Sequence, residues 1–266
     1  MGRQRQIGAG RQFQLDVPHR LFLTLLYLRH SLPMHLLGVL FEMDAANVCR
    51  NIRALLLSGP GPWTAAKSSR TMRTRVLKMC WTPSQRSPTS SSMAPNNPED
   101  HPRRTKAVGR PKDQKKFCSI KKRTHTLKTQ VTATSDGRVV HLSAPADGRT
   151  HDMKVQGQSK LLPHLPRGTR LWGDRGYTGL DKLCPQHEVI VPRMPPKGGR
   201  LSPDDRELNH QLSKVRIIVE SIVCKIKQFR VCRAFYRSDS RHHGQFWGCV
   251  AGLVNLRTVK RTPQLA

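Results

Sequence analysis

Two acidic residues, Asp174 and Glu220, are the positions at which this sequence could support metal-dependent chemistry. Asp174 lies between glycines in residues 173–177, directly after a short apolar run. Glu220 lies on a predicted helix, in the same narrow sector as Arg216 and Lys227 when residues are placed at 100° intervals. Carboxylate oxygens suit Mg²⁺ or Mn²⁺, and neighbouring cations can meet phosphates or restrain the glutamate. The pattern predicts a divalent-metal site beside a phosphate.

Each acid also has a simpler interpretation. An aspartate between glycines is often a turn residue that bonds its own backbone, although open α/β sheets place ligands beyond the carboxyl ends of their strands. Glu220 and Arg216 have the i, i+4 spacing of a surface ion pair, which stabilises a helix by only a few tenths of a kcal/mol. The residues alone leave both interpretations open.

The elements that must position these acids are predicted from local pattern. Residues 129–134 and 138–142 are β-prone runs around Ser135-Asp136-Gly137, which predicts a hairpin. The runs 171–172 and 189–191 predict short buried strands. Ser202 and Pro203 predict the start of a long helix, and residues 246–256 predict a closing helix. Strands followed by helices indicate an α/β or α+β domain from about residue 112 onward.

The N-terminal part of the chain has a different pattern. Residues 20–57 predict three short helices, with Asp44 as the N-cap of the third. The apolar positions of that third helix leave four polar residues facing outward: Asn47, Arg50, Asn51 and Arg53. This arrangement is typical of a helix-turn-helix, whose last helix can enter the major groove of DNA. An ordinary three-helix cap with a solvated polar face is the alternative.

Composition favours a polyanionic partner. Lys and Arg number 47 against 17 Asp and Glu, a formal charge of +30. Phosphate contacts release counterions, so such a chain binds nucleic acid without regard to sequence. DNA is one partner that fits; a generic basic RNA- or ribosome-binding protein without catalysis is the alternative. Seven cysteines without a C-x-x-C pair argue against a disulfide framework or a zinc site. With no apolar segment long enough for a membrane, a cytosolic, reduced protein is expected.

Several ordered motifs resemble the DDE-class transposases of bacterial insertion sequences. Residues 116–128 are similar to the Y-S-G-K-K-x-x-H-T-x-K block of that family, and residues 173–177 to its second-aspartate motif. Arg216, Glu220 and Lys227 match its R-x-x-x-E-x-x-x-x-x-x-K signature. His151-Asp152 resembles its H-D pair, residues 255–257 its N-L-R motif, and residues 20–56 its helix-turn-helix. The resemblance covers roughly residues 18–57 and 112–258, and several motifs in order are more specific than any one.

The resemblance implies a ribonuclease-H-like mixed sheet with flanking helices, preceded by a small all-α helix-turn-helix module. It implies three carboxylates that hold two Mg²⁺ or Mn²⁺ ions for phosphodiester transfer, with Asp174 as the second and Glu220 as the third. The partners expected are transposon terminal inverted repeats and target DNA, in the bacterial cytoplasm and on the nucleoid, with a homodimer as one assembly. The residues expected near the DNA backbone are Lys121, Lys122, Arg123, Lys128, Arg216 and Lys227, and those in supporting roles are His151, Asp152 and Tyr177.

The domains expected are a helix-turn-helix module at 18–57, a Ser/Pro/Arg-rich linker or scrambled first-strand region at 58–111, and the DDE-type domain at 112–258.

The family's first aspartate would fall at residues 90–98, which have neither an acid nor a strand pattern. Glu99 and Asp100 are near, but the surrounding prolines disfavour a central strand there. The sequence therefore predicts DNA binding without efficient cleavage, and a sheet weakened at its centre.

We hypothesise that a change of reading frame removed the acid. Residues 92–98 can be encoded TCG-ATG-GCA-CCG-AAC-AAC-CCN, which in a frame starting two bases later reads Asp-Gly-Thr-Glu-Gln-Pro. Two compensating frameshifts, one near Trp81 and one before Gln114, would then have scrambled the first strand. Codons in the gene that are incompatible with this string would exclude the hypothesis.

Overall fold

The computed structural model describes residues 13–58, 76–80, 85–86, 118–119, 124–159, 161–234 and 242–261. At residues 57–58, 76–80, 85–86, 118–119, 124–125 and 261 the description covers the backbone alone. Glu99, Asp100, Lys121, Lys122 and Arg123 lie outside the described residues.

Three helices form the N-terminal part: α1 (Val17–His30), α2 (Met34–Leu40) and α3 (Ala45–Ser58). Asp16 caps α1 by accepting a hydrogen bond from the backbone N–H of His19 at 2.9 Å. This satisfies one of the free N–H groups at the helix start. The helix ends where Ser31 adopts a left-handed conformation. The predicted succession of three short helices is present.

Nine strands are described, of which five form the main sheet in the order β6-β5-β1-β8-β9. In that sheet β1 pairs antiparallel with β5 and parallel with β8; β5 and β6 are antiparallel, and β8 and β9 parallel. This mixed order is that of a ribonuclease-H-like sheet, so the predicted fold class is confirmed. The strands are β1 (Val76–Cys80), β2 (Gln85–Arg86), β3 (Cys118–Ser119), β4 (Thr124–Lys128), β5 (Val131–Thr134), β6 (Val139–Leu142), β7 (Ala146–Asp147), β8 (Arg170–Trp172) and β9 (Glu188–Ile190).

The remaining helices are α4 (Asp152–Gln158), α5 (Leu180–Leu183), α6 (Pro203–Lys227), α7 (Arg230–Arg233) and α8 (His243–Arg261), with short 3-10 turns at Leu162–His164 and Arg175–Tyr177. Strands β2, β4 and β3 form a smaller sheet, and β7 pairs with β4. The predicted β5–β6 hairpin is confirmed, with Gly137 at φ +84°. The long helix is confirmed as well, because Ser202 accepts a hydrogen bond from Asp205 N–H at 3.1 Å and Pro203 comes directly after it.

One hydrophobic core joins the N-terminal helices to the main sheet. Leu23, Leu28 and Ile52 belong to the same buried cluster as Val131 and Trp247. At this junction the Tyr27 and Phe246 rings lie 5.8 Å apart, and Arg29 donates a hydrogen bond to the Gln228 carbonyl at 2.9 Å. The three helices are therefore packed on α7 and α8, with no separate core of their own. No described helix is both long and apolar enough to cross a bilayer.

The centre of the sheet is formed, although the loss of its first strand was expected. Residues 58–111 were expected to hold a linker or a scrambled first strand, yet β1 lies in the middle of the sheet, with β5 on one side and β8 on the other. The run at Val76 and Leu77 is too short to show an alternating pattern in the sequence. Strand propensity of this kind depends on the neighbouring strands, and here two of them offer hydrogen-bonding edges.

Candidate metal and nucleic-acid site

Asp174 lies between the end of β8 and a tight 3-10 turn. Gly173 N–H extends the β8–β9 ladder by donating to the Ile190 carbonyl at 2.9 Å. A side chain at Gly173 would collide with its surroundings, because its Cβ would stand 2.9 Å from Tyr177 Cβ and 3.3 Å from Val191 Cγ1. Glycine thus allows the chain to turn closely over the buried Tyr177 ring, and the turn presents Asp174 at the carboxyl end of the strand.

The Asp174 side chain caps the turn that begins after it. Its Oδ1 accepts from Arg175 N–H at 2.7 Å, and its backbone carbonyl accepts from Tyr177 N–H at 2.9 Å. The turn-residue interpretation is therefore correct for the hydrogen bonding of this aspartate. It does not exclude a second role, because a carboxylate has about four lone-pair sites.

Glu220 lies on the exposed face of α6, beside the buried stripe that includes Leu212, Val219 and Ile222. Its Oε1 is 2.7 Å from Nε of Arg216, and the two side chains are 54% and 60% exposed. The i, i+4 ion-pair interpretation is therefore also realised. A pair this open to solvent contributes little to stability, so a stronger ligand could displace the arginine at small cost.

Asp174 and Glu220 line the same cavity, which has a volume of about 570 Å³. The helix side of the cavity is tied to the chain beyond β9 by Asn209, whose side chain accepts from Arg193 N–H at 2.9 Å and donates to the Arg193 carbonyl at 3.0 Å. Leu212 and Val219 supply apolar lining. The tertiary structure thus brings together two acids that are 46 residues apart in the sequence.

Cations outnumber acids on this cavity. Among its described lining residues are the four cations Arg175, Arg193, Arg216 and Lys227, against the two acids. Arg216 and Lys227 were predicted here, whereas Arg175, Arg193 and Asn209 were not selected from the sequence. Arg175 belongs to the 173–177 motif and could have been found there. Asn209 had no distinguishing signal in a long polar helix face. A cation-lined cleft attracts polyanions such as a nucleic-acid backbone.

Asp174 and Glu220 each offer carboxylate oxygens, the donors that hard cations prefer, on one cavity. Within the described part of the chain, no three His, Cys, Asp or Glu side chains cluster closely enough to hold a metal ion. Mg²⁺ can bind through one or two carboxylates when waters and substrate phosphates complete its shell. Asp174 and Glu220 are the two described acids of this cavity that would hold such an ion. A second ion would need a further acid, and the described lining of the cavity has none.

Strands β1 and β8 pair in parallel and end side by side. The last pair of their ladder is Lys78 with Trp172, and two residues further along the two chain segments come residues 80 and 174. Residue 80 is a cysteine, and the sequence has no Asp or Glu between Asp44 and Glu99.

Lys128 is not positioned as predicted. It was expected near the DNA backbone, but its side chain is only 14% exposed, and its Nζ lies 2.9 Å from Oδ1 of Asp152. The same Nζ donates to the Thr150 carbonyl at 2.7 Å. Strand β4 ends at Lys128, and the ion pair joins that end to the start of α4. His151, predicted as supporting, caps α4 at its start.

The polar face of α3 is partly as predicted. Arg50 and Arg53 are exposed, and the Asn47 side chain accepts a hydrogen bond from Arg50. Asn51 was expected to face outward, and this is wrong: it is 3% exposed and donates to the Asn47 carbonyl at 2.8 Å. The reason is helical phase, because position 51 comes three residues after the buried Val48 and lies on the same stripe.

Comparisons with known proteins agree with this architecture. The family described as "DDE superfamily endonuclease" matches residues 104–255. The family "Helix-turn-helix of DDE superfamily endonuclease" matches residues 13–56. A curated relative, "Probable transposase for insertion sequence element IS702" of Microchaete diplosiphon, is 27% identical over 249 residues, which is 92% of this chain and 82% of the relative.

A solved structure, "Crystal structure of the Mos1 Strand Transfer Complex", is similar at 10% identity over 99% of this chain and 83% of that chain. Its TM-score of 0.21 is too low to bear on the fold. The endonuclease family model, which matches residues 104–255, covers more than half of the sequence. The chain therefore belongs to the DDE superfamily endonuclease family. Members of this family use divalent metal ions, and the helix-turn-helix match makes DNA the partner.

Proposed function

We propose that this chain binds transposon-end DNA and that its own strand-cleavage chemistry is impaired. The observation that carries the proposal is the shared cavity: Asp174 and Glu220 line it together with four cations, while the neighbouring end of β1 has no acid. The cavity can therefore attract a phosphate backbone and hold one Mg²⁺ or Mn²⁺ ion. Its described lining has no third carboxylate for a second ion.

Two surfaces carry the DNA contacts in this proposal. Arg50 and Arg53 project from α3, the last helix of the helix-turn-helix, where side chains can reach base edges in the major groove. Arg175 and Arg193 lie on the cavity, where they can contact the backbone. Helix α3 and the main sheet contribute side chains to one buried cluster, so the two surfaces belong to one packed unit.

Within the cavity the side chains have distinct roles. Asp174 and Glu220 would hold the ion, and Arg216 would release Glu220 and turn toward a phosphate oxygen when DNA enters. A bound divalent ion supplies Lewis-acid polarisation of a phosphoryl oxygen. Without a third carboxylate, the charge that develops on the attacking and leaving oxygens is incompletely stabilised, and catalysis depends chiefly on such stabilisation.

The binding part is tested with a duplex made from the inverted repeats that flank the gene. Fluorescence anisotropy should show tighter binding to this duplex than to bulk RNA at matched salt, because groove contacts add to backbone contacts. An Arg50→Ala/Arg53→Ala variant should lose most of that preference. The matched control, Arg167→Ala/Arg206→Ala, removes two charges elsewhere and should weaken both complexes equally. Equal affinity for RNA and duplex would favour a generic RNA-binding protein instead.

Light scattering with and without the duplex tests for a homodimer.

The impairment is tested by supplying the missing acid. Cys80→Asp should raise Mn²⁺ affinity at least about tenfold, since a carboxylate at this register position completes the oxygen set. Cys80→Asn, whose side chain has nearly the shape of aspartate without its charge, should leave the Mn²⁺ affinity unchanged. Asp174→Asn added to Cys80→Asp should cancel the gain in affinity. The unmodified chain should show no Mg²⁺-dependent nicking of the duplex. Nicking that Asp174→Ala abolishes would contradict the impairment. Should nicking occur, its loss in a Glu99→Ala/Asp100→Ala variant would show that one of those acids completes the site.

A further inference from the structure

The turn that presents Asp174 lies against a second aspartate from another part of the chain. A Cβ atom built on Gly176 would stand 2.5 Å from Oδ2 of Asp152 and 3.3 Å from its Cγ. The carboxylate of Asp152 thus occupies the space that any side chain at position 176 would need. Helix α4, which begins at Asp152, is in this way packed directly on the Arg175–Tyr177 turn.

Asp152 is itself held in place. Its Oδ1 is 2.9 Å from the Lys128 ammonium, and the two side chains are only 16% and 14% exposed. Lys128 is fixed in turn by donating to the Thr150 carbonyl at 2.7 Å. An ion pair this far from solvent is costly to break from one side, because removing one partner leaves the other buried charge uncompensated. The pair therefore forms a rigid support between β4 and α4.

The support and the turn form one connected path. Lys128 fixes Asp152, Asp152 fills the space over Gly176, and Gly176 lies within the 3-10 turn that Asp174 caps through the Arg175 and Tyr177 N–H groups. Displacement of the Asp152 carboxylate would leave a gap over Gly176. The turn could then shift, and Asp174 with it.

We propose that Asp152, restrained by Lys128, is a positioning residue that sets the turn from which Asp174 faces the cavity. The importance of this for metal binding rests on the function proposed above, whereas the positioning itself does not. The Lys128–Asp152 pair serves the site from inside the fold, and a side chain at position 176 would have to displace the Asp152 carboxylate.

Amide hydrogen exchange of the full chain measures the positioning directly. In Asp152→Asn the Arg175 and Tyr177 amides should exchange at least about tenfold faster, because these two N–H groups bond to Asp174 in the turn. Amides of β8 should keep their rates. A general structural role would accelerate β8 and the turn together, and that outcome, or no change at all, would overturn the proposal. Asp136→Asn is the matched control, since it removes an acid paired with Arg138 at the exposed hairpin and should leave the turn unchanged.

A second variant covers the case in which Asp152→Asn does not fold. Gly176→Ala forces a methyl group into the Asp152 carboxylate and should accelerate the same two amides. Adding Asp152→Ser, which shortens the side chain, should return part of the protection. If Gly176→Ala leaves the turn amides at their original rates, the carboxylate does not set the turn and the proposal fails.

Mn²⁺ affinity, measured by electron paramagnetic resonance, separates this inference from the proposed function. If Asp174→Asn leaves Mn²⁺ binding unchanged, the metal site is refuted, while the exchange result still decides the positioning. If Asp174→Asn removes binding and Asp152→Asn weakens it about tenfold in folded protein, both ideas are supported. Loss of binding in Asp174→Asn with full binding in both Asp152→Asn and Gly176→Ala would refute the positioning role alone.

Discussion

The adjacent ends of β8 and β1 carry different residues beyond the last pair of the ladder. Both strands run in the same direction and finish at one edge of the sheet. Beyond β8, Gly173 bonds to Ile190, Tyr177 is buried under the turn, and Asp174 faces the cavity. Beyond β1, the sequence passes from Cys80 to Trp81 and Thr82 with no acid for 18 residues until Glu99.

This difference shows that the strand and the acid at its end have separate physical causes. The position of β1 results from backbone hydrogen bonds to β5 and β8, which any β-compatible side chains allow. The acid depends on one side chain at one position. On the function proposed above, this chain keeps the sheet of a nuclease and lacks part of its chemistry, so stability and metal binding should respond to different substitutions.

Low pH should give the largest effect on stability, and it should act far from the strand ends. Burial lowers the pKa of His141 and of His243 to about 4, below the ordinary value of 6.5. The unfolded chain takes up these protons first, so the free energy of unfolding should be constant above pH 6.5 and fall as the pH drops toward 4. The loss should be on the order of 3 kcal/mol per histidine at most.

Urea unfolding between pH 4 and 8 measures this loss. His243→Phe keeps a ring against Trp247. In this variant the free energy of unfolding should depend less on pH, because the contribution of His243 is gone. An Asp174→Asn/Glu220→Gln variant should keep the slope of the unmodified protein. If the Asp174→Asn/Glu220→Gln variant reduced the pH dependence of unfolding, the cavity acids would contribute to stability, and the distinction between cavity and scaffold would be wrong.

The β8 end should be sensitive to packing. Gly173→Ala brings a methyl group within 2.9 Å of Tyr177 Cβ and 3.3 Å of Val191 Cγ1, and such overpacking typically costs about 1–3 kcal/mol. Thermal unfolding should show the decrease. Gly157→Ala is the control, because nothing lies within 4 Å of that Cβ and alanine favours helix α4, so stability should hold or rise slightly. A similar loss in both variants would mean that the turn is not tightly packed.

The ion pair on the cavity should give the smallest effect. Arg216→Gln removes the partner of Glu220, but both side chains are more than half exposed, so the free energy of unfolding should change by only a few tenths of a kcal/mol. Duplex affinity should fall more visibly, and its salt dependence should weaken by about one phosphate contact. A loss above about 1 kcal/mol in stability would show that the pair supports the helix.

Pattern in the sequence was enough to find most of the elements near the site. Ser202 and Pro203 marked the start of α6, and Ser135-Asp136-Gly137 marked the β5–β6 hairpin, because caps and turns depend on neighbours in the chain. Strand β1 was missed, since a five-residue strand is defined by the partners on its two sides. Asn51 was misplaced by choosing polar residues ahead of helical phase. Lys128 was assigned to the DNA backbone from the family resemblance, which does not reveal that Asp152 lies beside it.

The sequence by itself determined the two acids, the helix that carries Glu220, the turn that carries Asp174 and the excess of positive charge, because each is a matter of residue type and short-range spacing. Only the tertiary structure decided that Asp174 and Glu220 line one cavity, that β1 and β8 end side by side, and that Asp152 lies against Gly176. Those relations join residues 24 to 94 positions apart, and they arise from strand pairing and helix packing, which local pattern does not encode.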